Sequence, residues 1–552
     1  MKVQKILFYV YWLILILPNC VLAFTERMSG LGKVTLVLLP LAVYGWLMTL
    51  RRKPGVMLWW LFPILFLGAF QLVLTYLFGQ GVIAVDMWLN LLTTNSGEVS
   101  ELLSQLLPAI IGVVLLYIPA LAVAVWSVRQ RACLPVSFIR RNRNVCLGLL
   151  PIGLLSLGAS YIVGGYRATT DLFPMNVCYN AYLAVERDAA SRHYVERTKD
   201  FRFHAKATRQ DSLPEVVVCV IGETSRAANW ALYGYNRPTN PVLSAMSGIL
   251  VYKDEMSQSN TTHKSVPILL SPASAENYEL LYKTKGVLAA YKEAGYYTAF
   301  ISNQQRNGSF IDFLGEQADE CVFVKEENQN EPYDGVLLQR VADVLRLGYG
   351  RVFIVLHTYG SHFNYKDRYP ADMAAFLPDA IESAEKKYRN ELMNAYDNSI
   401  RYTDAFLGKL INRLNEDERC AALLYTSDHG EDIFDDRRNL FLHASPVPSY
   451  YQLHVPLLIW TSDAYRRHNP EEQRMLELHQ TASTGSDCVF HTLLGLGGIS
   501  TPYRNDSLSL TSQMFTEKER HYVNDHNNPL SLHECLSELD LQVMKQKQLK
   551  DE

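Results

Sequence analysis

Apolar residues are distributed unevenly along this chain, and that unevenness constrains the fold more than any motif. Five apolar runs, about 6–24, 34–50, 56–78, 106–128 and 145–163, lie within the first 165 residues. A helix needs about 20 predominantly apolar residues to cross a hydrocarbon core. The runs therefore predict an α-helical transmembrane domain of five spans over 1–165. Lys2 and Lys5 precede the first run and Val21-Leu22-Ala23 lies near its end, a passable signal-peptide cleavage pattern. Its long apolar core and the four runs behind it favour a retained anchor instead. Pro18-Asn19-Cys20 is a poor lipobox.

Loop charge orients the spans. Lys2 and Lys5 precede the first, Arg51, Arg52 and Lys53 follow the second, and Arg129, Arg131, Arg140, Arg141 and Arg143 separate the fourth from the fifth. The loop 79–105 carries no Lys or Arg, only Asp86, Glu98 and Glu101; Arg27 and Lys33 in the first outer loop are the minor exception. Positive loops stay in the cytoplasm. The N-terminus is thus expected inside, and everything beyond Tyr166 outside. A miscounted span would instead leave a cytoplasmic domain.

Composition excludes several classes. With 49% hydrophobic residues the chain has too much apolar content for disorder. A formal net charge of −4 lacks the basic excess of a nucleic-acid binder. Nine cysteines and 31 glycines in 552 residues exclude disulfide mini-proteins and collagen. The outer part divides into a connecting arm over 166–212, a large domain over 213–536 and a polar tail over 537–552 that is expected to fray.

Within that domain, strand-like runs at 216–221, 297–302, 351–356, 421–426 and 455–460 alternate with helix-like stretches, the longest about 381–415. Continuous apolar strands between helices predict an α/β domain with a mostly parallel sheet covered on both faces. Ligands of such sheets bind beyond the carboxyl ends of the strands.

Chemistry-bearing residues stand at those ends. Glu223 follows the first run, His357 to His362 the third, and Ser427-Asp428-His429-Gly430-Glu431 the fourth; His443 comes shortly after. Each has an ordinary reading alone: a capping Asp in a turn, a first-turn helix acid, a hydrogen-bonded surface histidine. Three buried strands delivering carboxylate or imidazole to one edge describe a metal site of nitrogen and oxygen ligands, of the kind Zn²⁺ takes.

The segment Ile221-Gly222-Glu223-Thr224-Ser225-Arg226, followed by Leu232-Tyr233-Gly234-Tyr235-Asn236-Arg237-Pro238-Thr239-Asn240-Pro241, resembles the opening signature of the bacterial phosphoethanolamine transferases, which include lipid A modifying and colistin-resistance enzymes. Thr261-Thr262-His263-Lys264-Ser265-Val266-Pro267 resembles that family's nucleophile segment. His357 to His362 with Tyr369-Pro370, then Ser427 to Glu431, then His443 with Val455-Pro456, follow in family order. The resemblance covers nearly the whole chain, the five-span N-terminus included. It implies an alkaline phosphatase/sulfatase-like fold and zinc-dependent transfer from phosphatidylethanolamine to lipid A or another envelope glycan. By position, Glu223, Asp428 and His429 would bind one zinc ion, rather than manganese, together with the nucleophile Thr262. His362 and His443 would lie near the transferred phosphate or a second zinc. A bacterial inner membrane with a periplasmic catalytic domain is implied as well.

The chemistry holds on its own terms. A threonine hydroxyl is a weak nucleophile at neutral pH, and a metal activates it while neutralising phosphoryl charge. Thr224, Thr261 and Ser265 are rival hydroxyls; the spacing of Thr262 to Ser265-Val266-Pro267 matches the family's nucleophile. Where many relatives carry cysteines flanking the nucleophile, this chain has Gln258 and Ile268. Loop rigidity is then expected from packing. The segment from Asn90 to Glu98 also resembles a family stretch, in which Asn90, Thr94 and Glu98 would contact the ethanolamine headgroup; an interfacial helix is the plainer reading. Two other functions stay open at this point: a glycerophosphate transferase using phosphatidylglycerol, and an inactive membrane-tethered binding protein.

Overall fold

The computed structural model describes residues 1–79, 81–93, 96–209, 213–328 and 333–551, without the side chains of 77, 90–93 and 96–109. The chain divides into two compact units, Met1–Arg187 and Asp188–Glu552.

The first unit is helical. Helices α1 (Lys2–Thr25), α2 (Gly30–Met48), α3 (Pro54–Trp60), α4 (Phe62–Phe78), α5 (Val85–Thr93), α6 (Ser96–Arg129) and α7 (Val136–Gly164) contain the five apolar runs. Among the described residues four helices are long and apolar enough to cross a membrane, or five if α3 and α4 count as one broken span. The third run was expected as one straight span; α3 and α4 are bent by 67° at their junction. Pro63 explains the break. It lacks the N–H that would bond the Trp59 carbonyl, and its ring crowds that carbonyl. Short helices α8 (Ala168–Asp171) and α9 (Met175–Arg192) follow, so the stretch expected as an arm is largely helical and is shared between the two units.

Two apolar clusters fill this unit. One gathers Phe8, Tyr44, Met48, Leu58, Leu134 and Ile139. The other gathers Leu22, Leu36, Leu74, Tyr166, Phe173 and Val177. The basic loops lie near the first cluster: Arg52 Nε donates to Leu134 O at 3.0 Å, Lys53 Nζ to Val128 O at 2.7 Å, and Arg143 Nη2 to Thr49 O at 2.9 Å.

The second unit is built on a seven-stranded sheet. Its strands are β1 (Glu215–Gly222), β2 (Ile249–Tyr252), β3 (Tyr297–Ser302), β4 (Glu320–Phe323), β5 (Arg351–His357), β6 (Cys420–Ser427) and β7 (Leu457–Thr461), in the order β2-β7-β6-β1-β5-β3-β4. The five strands from β6 to β4 run parallel; β7 runs against them, and the edge strand β2 runs against β7. All five predicted runs are strands. β2 and β4 were not foreseen, because four residues carry too little apolar signal to stand out.

Alternation along β1 covers both faces. Val217, Cys219 and Ile221 enter one cluster with Val266, Ile268 and Leu269 of helix α10 (Thr262–Leu270). Val216, Val218 and Val220 enter the other with Leu392, Tyr396 and Leu407 of helix α11 (Arg389–Glu416). The nine cysteines are all unpaired, so the loops are held by packing and hydrogen bonds. The C-terminal stretch, expected as a polar tail, carries a helix. Helix α12 (Glu538–Gln546) starts at a reciprocal cap between Ser537 and Asp540, and Met544 is fully buried. Arg438 grips Asp540 with bonds of 2.6 and 2.7 Å, which ties the helix to the domain.

Candidate metal centre and nucleophile

Register decides where the strand-end residues go. In the parallel ladder Ile221 pairs with His357 and Gly222 with Ser427. Glu223, Thr358 and Asp428 therefore leave the sheet side by side. Thr224 takes φ 61°, which a β-branched residue adopts only under constraint. The constraints are visible: Thr224 N donates to Asp428 Oδ1 at 3.1 Å, and Tyr396 donates to Thr224 O at 2.7 Å. Gly360 passes so close that a Cβ there would stand 2.7 Å from the backbone N and O of Glu223.

Three ligand-type groups converge. One atom each of Glu223, Asp428 and His429 lie within 4.8 Å of one another, and all three residues are buried. His429 Nδ1 lies 2.9 Å from Gly430 O and carries the proton there. Its Nε2 is turned inward, 3.5 Å from Glu223 Oε1 and 3.3 Å from Asp428 Oδ2. Thr262, at the N-terminus of α10, brings its Oγ1 to 3.1 Å from both Glu223 Oε1 and His429 Nε2. It is half-buried, so a substrate can reach it.

The rival hydroxyls are placed differently. Thr224 Oγ1 also donates to Glu223 Oε1, at 2.9 Å, but the residue is fully buried. Thr261 Oγ1 pairs with Ser259 Oγ at 3.1 Å, and Ser265 Oγ donates back to Thr261 O. Only Thr262 among the four joins both a carboxylate and the inward imidazole from a partly open position.

The donor set fits a divalent cation. Asp428 Oδ2 is buried and accepts no well-formed hydrogen bond. Burial and then the neighbouring Glu223 carboxylate raise the Asp428 pKa. For Glu223 burial opposes ionisation, but His429, His362, His357 and His443 outweigh it and lower the pKa. Burial works against a charged His429, yet Asp428 and Glu223 prevail and raise its pKa. Two carboxylates this close cannot both ionise without a cation. Carboxylate oxygen with imidazole nitrogen is a zinc-type ligand set.

His443 stands beside this group, its ring 4.2 Å from that of His429, and His362 lies a further 6.2 Å from His443. Burial depresses the pKa of both, leaving them neutral near pH 7. Leu442 and Ala444, on either side of His443, have φ of 66° and 58°. Ala444 N donates to Asn260 O at 3.1 Å, which links the strained loop to the segment of Thr262. Thr94 and the side chains of Asn90 and Glu98 lie outside the described residues.

Sequence reasoning missed two supporting residues. Gln304 Nε2 donates to Glu223 Oε2 at 3.0 Å and to Thr358 O at 2.9 Å, and so fixes the carboxylate. The signal was available, because Gln304 follows β3 as Glu223 follows β1. Glu431 was quoted within a motif without a role. Its Oε1 is 3.1 Å from His443 Nδ1, and its Oε2 accepts from Tyr365 at 2.5 Å.

The profile of the sulfatase family matches residues 215–499, from the start of β1 to beyond β7. The chain belongs to the sulfatase family. Within it, the chain is 34% identical over 301 residues to phosphoethanolamine transferase EptA of Escherichia coli (strain K12), covering 52% of this chain and 54% of that protein. It is 26% identical over 333 residues to Kdo(2)-lipid A phosphoethanolamine 7''-transferase of the same strain, covering 58% of each. The chain thus spans about half the length of the curated relatives it matches. The integral membrane phosphoethanolamine transferase EptA of Neisseria meningitidis shares the fold, with a TM-score of 0.71, 23% identity, and coverage of 91% of this chain and 98% of that one. The periplasmic domain of EptC from Escherichia coli in complex with Zn has a TM-score of 0.55 at 25% identity, covering 59% and 94%. A sulfatase-family domain thus follows the apolar helices in the chain, as the motifs implied.

Proposed function

We propose that the chain transfers phosphoethanolamine from phosphatidylethanolamine to lipid A or another envelope glycan through a covalent adduct on Thr262. The observation that carries this reading is the Thr262 hydroxyl, open to one side and 3.1 Å from both Glu223 and His429. The similarity to named phosphoethanolamine transferases supplies the transferred group and the acceptor class.

Glu223, Asp428 and His429 would hold a zinc ion, which when bound supplies the positive charge that acidifies the hydroxyl and neutralises phosphoryl oxygens. Thr262 Oγ attacks phosphorus and the bond to the diacylglycerol oxygen breaks. The hydroxyl proton is directed at Glu223 Oε1. His443, backed by Glu431, and His362 would stand near the phosphate or its leaving oxygen, and either neutral imidazole can bind it through a ring N–H. The first turn of α10 adds backbone N–H dipoles beside the phosphate. An acceptor hydroxyl or phosphate then attacks the same phosphorus and releases Thr262. On this reading the protein is a multi-pass component of a bacterial inner membrane, with a cytoplasmic N-terminus and a periplasmic catalytic unit.

The test gives purified full-length protein phosphatidylethanolamine in detergent and follows diacylglycerol release and intact mass. The expected result is release with a phosphoethanolamine adduct, both absent in Thr262→Ala, with turnover down at least about 10³-fold. Release from phosphatidylglycerol alone would replace this reading with glycerophosphate transfer. An adduct persisting in Thr262→Ala would move the nucleophile to Thr224.

A further inference from the structure

Helix α9 is amphipathic in the reverse of the usual sense. The face it turns inward carries Asn176 and Asn180, both buried, beside Val177 and Ala184. Asn180 Nδ2 donates to Ile83 O at 2.8 Å. The outward face carries Met175, Tyr179, Tyr182 and Val185, which are 47%, 36%, 60% and 61% exposed, together with exposed Cys178. These positions follow helical spacing, so they form one stripe. No charged residue occurs between Asp171 and Glu186. A helix facing water on its outer side shows the opposite pattern.

The level of this stripe is fixed within the first unit. Leu172, Phe173 and Val177 share an apolar cluster with Leu22 near the end of α1, Leu36 near the start of α2 and Leu74 near the end of α4. Asn19 Nδ2 donates to Phe173 O at 2.8 Å, from the same turns of α1. Exposed aromatic rings stand at these helix ends: Phe24 at 88%, Tyr76 at 64% and Tyr161 at 62%. Aromatic rings at the ends of spans mark the membrane–water interface. The stripe is thus continuous with the lipid-facing surface of the spans, at headgroup depth.

We propose that α9 is an interfacial helix whose Met175–Val185 stripe lies in the headgroup–acyl boundary of the leaflet at the C-terminal ends of α1, α4 and α7. Lipid then covers the apolar face, and the stacked Tyr179–Tyr182 pair presents its hydroxyls to the headgroups. The charges resume at Glu186, Arg187 and Asp188, directly after Val185, where the chain leaves the lipid. The inference rests on the membrane reading of the helices and not on the chemistry at Thr262.

Spin labels on full-length protein in phosphatidylethanolamine–phosphatidylglycerol nanodiscs test it. Cys20, Cys133, Cys178 and Cys321, the cysteines that are not buried, are replaced by Ala. Labels are placed by Tyr182→Cys, by Val185→Cys and, as a water-facing control, by Glu416→Cys near the end of α11. At 182 and 185 oxygen should relax the label several-fold more than a water-soluble nickel chelate, with the reverse at 416. Preference for nickel at 182 and 185 would place the stripe in water. Low accessibility to both reagents would mean protein covers it. Either result overturns the proposal, and neither depends on catalysis.

Discussion

The two units bury polar groups in opposite ways. In the helical unit several of the buried polar side chains are neutral amides whose N–H groups bond backbone carbonyls, beside hydroxyls such as Thr35 and Ser160 and the acid Asp86. Asn19 serves Leu36 O and Phe173 O, and Gln71 serves Gly81 O at 2.8 Å while accepting from Ile83 N at 3.2 Å. In the sulfatase-family unit Glu223, Asp428 and His429 are buried together, and Asp428 Oδ2 accepts no well-formed hydrogen bond. A neutral amide loses little on burial once paired, whereas a buried charge needs a counter-charge. The amides therefore act as fasteners, and the convergent charges with an unmet valence define a site.

The comparison breaks first at Asp428. Asp428→Asn should abolish stoichiometric metal, measured by mass spectrometry of the purified protein, and lower diacylglycerol release by more than about 100-fold, the upper range for a merely supporting residue. Full metal occupancy in the variant would remove Asp428 from the ligand set. Next is Gln304, which bonds the outer carboxylate oxygen of Glu223 and the Thr358 carbonyl. Gln304→Leu should weaken metal affinity about 10–100-fold in a chelator competition while the protein stays folded. Unchanged affinity would make it an ordinary loop residue.

Glu255 sharpens the contrast, because it is a buried acid without a cation-binding set. Both its carboxylate oxygens are buried, and burial outweighs the opposing Thr484 hydroxyl and pushes its pKa from 4.5 up to about 8. The folded state then holds this proton more tightly than the unfolded state. Stability from this group is full below about pH 4.5 and falls as pH rises towards 8. Glu255→Gln should flatten that part of a stability–pH profile, read by thermal unfolding; an unchanged slope would show that the carboxyl finds a partner. The smallest effect is expected at Asn19. Asn19→Leu should cost about 1 kcal/mol in reversible unfolding of the helical unit, with metal content untouched. A loss several times larger would mean the amide does more than fasten.

Much of the site was legible because it obeys a local rule. Glu223, Asp428 and His429 each follow an apolar strand, and their types announce ligand chemistry. Thr262 needed the family spacing, since four hydroxyls compete in sequence and only burial and distance separate them. Gln304 and Glu431 escaped because an amide or acid that orients another side chain has no signature of its own. The bend between α3 and α4 was written in Pro63, but an averaged apolar run conceals a single missing N–H. The C-terminal helix was hidden by its polar composition, since its anchorage comes from one buried methionine and an arginine–aspartate pair.

Apolar runs, loop charges and strand periodicity are sums over neighbouring residues, and the sequence by itself determined what such sums can express: a helical membrane part, an α/β part and the strand ends to inspect. Only the tertiary structure decided which atoms meet. Glu223, Thr262 and His429 come from three segments far apart in the chain, and their approach to within a hydrogen bond depends on sheet register and on a strained turn at Thr224. A contact of that kind is a property of the assembled backbone, because distance between side chains is set by every element packed between them.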